Sequence, residues 1–199
     1  MKESSFITIK NVSIGKLVIK KSTFLSFAIP VDNVTTIECN IKELRKTYHD
    51  ARHICYAYVI SPEGQNFRAS DGGEPSGTAG RPILSTIRSK ALTNVLVAVV
   101  RYFGGIKLGT SGLIAAYKQA AEEALNQAVF VTCKIEDTIN MTFNYTSLND
   151  VMHILKHYEA KILSKQIDSV CSFSFKIDIN FSQEVKQQLS KILSLQFIE

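Results

Sequence analysis

The sequence predicts an α+β protein of two domains, residues 1–130 and 134–199. Three observations predict it. The first part mixes β-branched and aromatic segments with helical patterns. Within it, the apolar run NVLVAVVRY at 94–102 leads straight into glycines and an alanine-rich helical pattern. After about residue 132 the texture changes to strands and amphipathic helices in the order βαββαβ.

FITIKNVSI at 6–14 and KLVIKKSTFLSFAI at 16–29 are rich in strand-forming residues, with Gly15 between them. They predict a hairpin turning at Gly15. Asp32 is positioned to cap a helix whose apolar residues Val34, Ile37, Ile41, Leu44 and Tyr48 recur in steps of three and four. HICYAYVI at 53–60 predicts a strand, SPEGQN a turn, and Phe67–Arg68 a short return. The stretch SDGGEPSGTAGRP at 70–82 follows, with four Gly and two Pro, and predicts a loop. The 94–102 run has the pattern of a strand buried on both faces. FGGIKLGTSG then precedes a helix, LIAAYKQAAEEALNQA at 113–128, with Leu113, Tyr117, Ala120, Ala124 and Ala128 on one face and Thr110 or Ser111 as cap.

In the last part Ile135, Ile139, Met141, Phe143 and Tyr145 alternate, interrupted by Asp137. Ser147 can cap a helix with Leu148, Val151, Leu155 and Tyr158 inward. A strand near KILSKQI comes next, then CSFSFKIDINF with Cys171, Phe173, Phe175, Ile177, Ile179 and Phe181 on one face. Ser182 can cap the final helix, and QFIE is a short last strand. This order is the ferredoxin-like pattern.

Composition narrows the function classes. The chain has 199 residues, 45% hydrophobic and 21% charged, which suits packed cores. No apolar run is long enough for a membrane span, and MKESSFITIK lacks a signal-peptide core, so a cytoplasmic protein with no membrane role is expected. Cys39, Cys55, Cys133 and Cys171 are far apart and are expected as reduced thiols. The net charge of +5 lies entirely in the first two thirds: residues 1–130 carry 16 Lys and Arg against 10 Asp and Glu. An anionic partner there is permitted, as is plain solubility charge.

The two glycine-rich stretches carry the chemistry. A helix start exposes unpaired N–H groups and partial positive charge, and glycines before it admit a close approach. Strand, Gly104, Gly105, Gly109 and helix thus form a candidate phosphate or carboxylate cradle, with Thr110 and Ser111 in it and Arg101 and Lys107 at its sides. It is not a P-loop, because Thr110 stands where the lysine belongs. A tight turn that binds nothing has the same composition. In the first stretch, Asp71 and Glu74 can bind metal, act as acid and base, or accept N–H bonds, and Ser70, Ser76 and Thr78 add hydroxyls. Two carboxylates are too few oxygens for a carboxylate metal site, so no metal is expected. Gly77 and Arg81 complete the motif, and His53 is the nearby candidate partner for its carboxylates. His153 and His157, four apart, have no third ligand beside them. No aromatic–basic motif of the RRM type is present.

Three segments together, YHDARHICYAYV, SDGGEPSGTAGRPIL and NVLVAVVRYFGGIKLGTSGLIAAY, resemble the signature of the YigZ/IMPACT family. The resemblance covers most of residues 1–128. It implies an N-terminal α/β domain of the type found in a small-subunit ribosomal protein and in domain IV of elongation factor G. LGTSGLIAA is similar in texture to the phosphate loop of galactokinase-type kinases, which share that fold. For the C-terminal part it implies a ferredoxin-like domain like one in elongation factor G. Eukaryotic relatives modulate translation initiation, and bacterial members have no settled activity. Three positions depart from the family: Gly72 for an acid, Ser111 for a glycine and Ala115 for a base.

The sequence therefore leads to a non-enzymatic regulator without cofactor or catalytic residue. Its expected partner is RNA or the ribosome, or another anionic surface, with Asp71 and Glu74 bracing one loop beside the other. Two alternatives stand. One is an enzyme on a small phosphorylated or carboxylated molecule, with Asp71 or Glu74 as base. The other is a module for a protein partner in translation control, with both loops structural.

Overall fold

The computed structural model describes residues 4–198. They form a mixed α/β structure in two compact units: residues 6–133, and residues 134–198 together with Ser4 and Ser5.

The first unit contains strands β1 (Ser5–Ile9), β2 (Ser13–Ile19), β3 (Ser22–Pro30), β4 (His53–Ile60), β5 (Asn66–Ser70), β6 (Val95–Tyr102) and β7 (Phe130–Lys134). Its helices are α1 (Val34–Thr47), α2 (Gly80–Ser89) and α3 (Gly109–Asn126). Five strands form an antiparallel sheet in the order β2-β3-β6-β4-β5. The apolar run becomes the central strand β6, buried from Val95 to Arg101. It needs no alternation because both faces are covered. Helix α1 lays Ile37, Ile41 and Leu44 over Leu96, Ala98 and Val100. Helices α2 and α3 cover Val95, Val97 and Val99 from the other side. Each such buried aliphatic side chain contributes about 1.5–3 kcal/mol of transfer free energy.

Several local expectations are corrected. The hairpin turn is not at Gly15. It is Lys20–Lys21, joining β2 to β3, and β1 pairs with β7 instead. Gly15 lies inside β2 because helix α3 crosses there: a methyl on it would stand 2.6 Å from the Ala124 nitrogen. Asn33, not Asp32, caps α1 by accepting the Thr36 N–H at 2.8 Å. The last three residues of the 70–82 loop, with the residues after them, form α2, a helix the composition hides. Its Pro82 is tolerated because a first-turn residue needs no N–H.

The second unit contains β8 (Glu136–Asn144), α4 (Leu148–His157), β9 (Lys161–Gln166), β10 (Val170–Asp178), α5 (Ile179–Leu189) and β11 (Gln196–Ile198). Its antiparallel sheet runs β11-β8-β10-β9. Met141, Phe143, Phe173 and Phe175 pack against Val151 and Leu155 of α4 and Val185 and Leu189 of α5. The alternation expected through Phe181 stops at Asp178, which caps α5 by accepting the Asn180 N–H at 3.1 Å. Ser182, expected as that cap, is inside the helix and donates to Asp137. Ser147 stands at the start of α4 without capping it. Asp137 interrupts the strand pattern for a reason: it also accepts from Lys186 at 2.8 Å. Among the described residues no helix is long and apolar enough to cross a membrane.

Candidate functional site

The first glycine-rich loop is organised by Asp71, one residue past β5. Its Oδ2 accepts the Gly77 N–H at 2.9 Å, and its Oδ1 accepts those of Ala79 at 3.0 Å and Gly80 at 2.9 Å. Helix α2 has no capping side chain at its own first position, Ala79, so Asp71 caps it from outside. Burial pushes the Asp71 carboxyl upward, but the N–H groups of Gly77, Gly80 and Ala79, with the Arg81 charge, outweigh it and hold it below its usual value. The Thr78 hydroxyl donates to the Pro75 carbonyl at 2.7 Å and closes the turn. Ser76 and Arg81 are exposed.

Glu74 joins this loop to the second one. Its Oε1 accepts from an Arg101 terminal nitrogen at 2.5 Å and from the Tyr117 hydroxyl at 2.9 Å. Arg101 ends the buried run of β6, before the second glycine stretch, and Tyr117 is on α3, after it. The Arg101 and Glu74 side chains are only 6% and 4% exposed, and Tyr117 is fully buried. Arg101, expected beside Lys107 as a phosphate contact, is therefore an internal ion-pair partner. Its position follows from strand register: it alternates with Val99 onto the face that α3 covers.

Two neighbours complete the buried network. The Cys55 thiol donates to the Asp71 carbonyl at 2.9 Å. Burial pushes its pKa up to about 12, helped by the Glu74 and Asp71 charges and opposed by the Tyr117 hydrogen bond and Arg101. Burial likewise raises Tyr117, reinforced by Cys55 and Glu74. His53 serves the loop's backbone rather than its carboxylates: its Nδ1 lies 3.1 Å from the Gly72 carbonyl. A carbonyl only accepts, so that nitrogen carries the proton.

The second loop, Phe103 to Leu108, is open. Gly104 rests against the Lys21 backbone so closely that any side chain there would collide with it, and its N–H donates to the Ser22 hydroxyl at 3.2 Å. The Lys20–Lys21 turn therefore stands beside the glycines, with both residues exposed and at positive φ, 44° and 65°. Sequence reasoning missed these two lysines because it placed the turn at Gly15. Their signal was the KK pair between two strand patterns. Helix α3 begins at Gly109 and has no side-chain cap; Thr110 and Ser111, expected as caps, are exposed in its first turn. A side chain at Gly105 or Gly109 would meet nothing within 4 Å. Lys107 is exposed, and among the described residues no carboxylate is within ion-pair distance of Lys20, Lys21 or Lys107. The loops thus have distinct parts: a sealed network of carboxylates, and an open loop with Lys107 in it and the Lys20–Lys21 turn against its Gly104, leading into an exposed helix start.

The Impact N-terminal domain matches residues 20–125 and so takes in both loops. The chain is 36% identical over 163 residues to the IMPACT family member YvyE of Bacillus subtilis (strain 168), covering 82% of this chain and 74% of that protein. It is 33% identical over 148 residues to the IMPACT family member YigZ of Escherichia coli (strain K12), covering 73% and 72%. A crystal structure described only as that of a hypothetical protein matches at 29% identity and a TM-score of 0.76, over 98% of both chains. With its motif loops inside the matched domain and its similarity extending over most of its length, this chain belongs to the IMPACT family.

Proposed function

We propose that this protein is a non-enzymatic, cytoplasmic regulator associated with translation, and that it binds RNA or the ribosome through phosphate groups at the start of α3. One observation carries the reading: the motif carboxylates are committed inward, while the uncapped helix end is exposed two residues after Lys107, and the exposed Lys20–Lys21 turn lies against Gly104 of the loop that leads into it. Unpaired N–H groups and the helix dipole attract an anion there, and the lysines extend the positive field. An enzyme would use Asp71 or Glu74 as its base, and both accept hydrogen bonds that hold the loop together. The Cys55 thiol stays protonated at neutral pH. The translational setting rests on likeness of fold: the N-terminal unit is read as the ribosomal-protein and elongation-factor-G type. The second is read as ferredoxin-like from its strand order, β11-β8-β10-β9. No cofactor enters the reading.

The test is co-sedimentation with ribosomes and with purified ribosomal RNA at low and high salt. Wild type is expected to pellet at low salt and release as salt rises. Changing Lys21 and Lys107 together to Ala is expected to weaken pelleting and lower the salt slope by about 2. Absence of pelleting at low salt, or a double variant identical to wild type, refutes it.

A further inference from the structure

A groove of about 340 Å³ lies between α1 and the β4–β5 edge of the first unit. It is on the α1 face of the sheet, whereas Arg101 and Tyr117 are on the other. We infer that this groove holds a single strand of nucleic acid, with unpaired bases against Tyr56 and Tyr58 and phosphates on Lys42, Arg45 and Arg68.

The floor is aromatic for a reason of register. Tyr56 and Tyr58 alternate onto the same face of β4 as Ile54 and Ile60, past the flank of α1, so their rings are only half-buried. Arg68 is the direct β5 partner of Tyr58 and shares that face. Helix α1 supplies the other wall: Glu38, Lys42 and Arg45 follow at steps of four and three and line the groove. Three cations thus face one carboxylate. Among the described residues no carboxylate lies within ion-pair distance of Lys42, Arg45 or Arg68. Past Arg45 a second hollow of about 340 Å³ continues along Tyr48, His49 and Arg52 to Gly72. Asp50, the nearby acid, accepts the Tyr102 hydroxyl at 2.8 Å.

Charge and shape select the occupant. Free cations along both walls call for a polyanion, and π-faces between them call for planar rings that can stack. A single-stranded nucleic acid supplies both at a repeating spacing, and base–aromatic stacking tolerates any base. A duplex keeps its bases stacked inside and is too wide to bring one to the tyrosines. An acidic peptide meets the cations and leaves the rings unused. The proposal does not depend on the anion site at α3, because it uses other residues on the other face.

The experiment measures fluorescence anisotropy with strands of about ten nucleotides, as RNA, as DNA and as the matched duplex. Either single strand is expected to bind, more weakly as salt rises, with the duplex about tenfold weaker. Tyr58→Leu keeps apolar bulk under the sheet and is expected to weaken binding about tenfold. Arg68→Glu changes an exposed edge residue with little risk to folding and is expected to weaken it at least as much. Lys191→Ala, an exposed change in the second unit checked by a circular-dichroism melt, should leave binding unchanged. Photocross-linking of a 5-iodouracil strand is expected to place adducts on residues 53–60. Duplex binding as tight as single-strand binding, wild-type affinity in both groove variants, or adducts confined to residues 101–118 overturns the proposal. That last result would leave the α3 reading standing.

Discussion

The Tyr117 hydroxyl donates to the Glu74 carboxylate, 2.9 Å away and 43 positions earlier in the chain. The same carboxylate oxygen accepts from Arg101 at 2.5 Å. One buried acid therefore holds together the first glycine loop, the central strand and the helix that starts at the second loop. The exposed end of α3 is positioned by a network that a ligand outside it does not touch.

Removing the acid should be severe. Glu74→Ala leaves the Arg101 charge buried without its partner, and the expected loss is about 3–5 kcal/mol. Tyr117→Phe removes one hydrogen bond and should lose about 1 kcal/mol. Denaturant unfolding of both variants and the double variant checks this. A Glu74→Ala midpoint equal to wild type would contradict the network.

Asp71 gives the first unit a definite response to acid. Its carboxyl is held below its unfolded value because the ionised form accepts three N–H bonds. The contribution is complete above the unfolded value, about 3.9, and is lost as pH falls through the lower folded value. Stability should thus fall below about pH 4, and Asp71→Ala should flatten that decline. The variant should also lose about 1 kcal/mol at neutral pH, as capping residues do. Thermal melts between about pH 3 and pH 7 provide the comparison; parallel curves for the two proteins would rule out Asp71 as the acid-sensitive cap.

The cysteines should separate cleanly by reactivity. Cys39 is exposed, whereas Cys55 is buried, hydrogen-bonded to Asp71 and raised to about 12. At mildly alkaline pH a thiol reagent should modify Cys39 rapidly and leave Cys55 untouched until the protein unfolds. Peptide mapping after brief labelling decides it. Rapid native modification of Cys55 would reopen a nucleophilic role for that side of the loop.

What could be read from the chain was what local periodicity carries. Strand β6 shows itself because nothing polar interrupts Val95–Val100. Helix α1 does so because Ile37, Ile41 and Leu44 keep helical spacing. Helix α2 was hidden because it opens on Gly80, Arg81 and Pro82 and takes its cap from Asp71, outside the segment. Arg101 looked like a surface cation because its burial depends on Glu74, 27 positions away. The groove on the α1 face was invisible for the same reason: Lys42, Tyr58 and Arg68 come from three elements, and only sheet register brings them together.

The Lys20–Lys21 turn tests the anion site in a way that separates binding from folding. A two-residue hairpin turn with both φ values positive favours Asn-Gly, and a lysine in the left-handed region is strained by about 1 kcal/mol or more. Here both positions are lysine, at φ 44° and 65°, and the turn lies beside Gly104 of the second loop. Replacing the pair by Lys20→Asn and Lys21→Gly should relieve strain and stabilise the first unit by about 1–2 kcal/mol. The same change removes the two cations beside Gly104 of the loop that leads into α3, so ribosome or RNA pelleting at low salt should weaken. Opposite signs in the two measurements are the expected result, and neither follows from general damage to the fold. A variant that gains stability and pellets like wild type would exclude these lysines from the site.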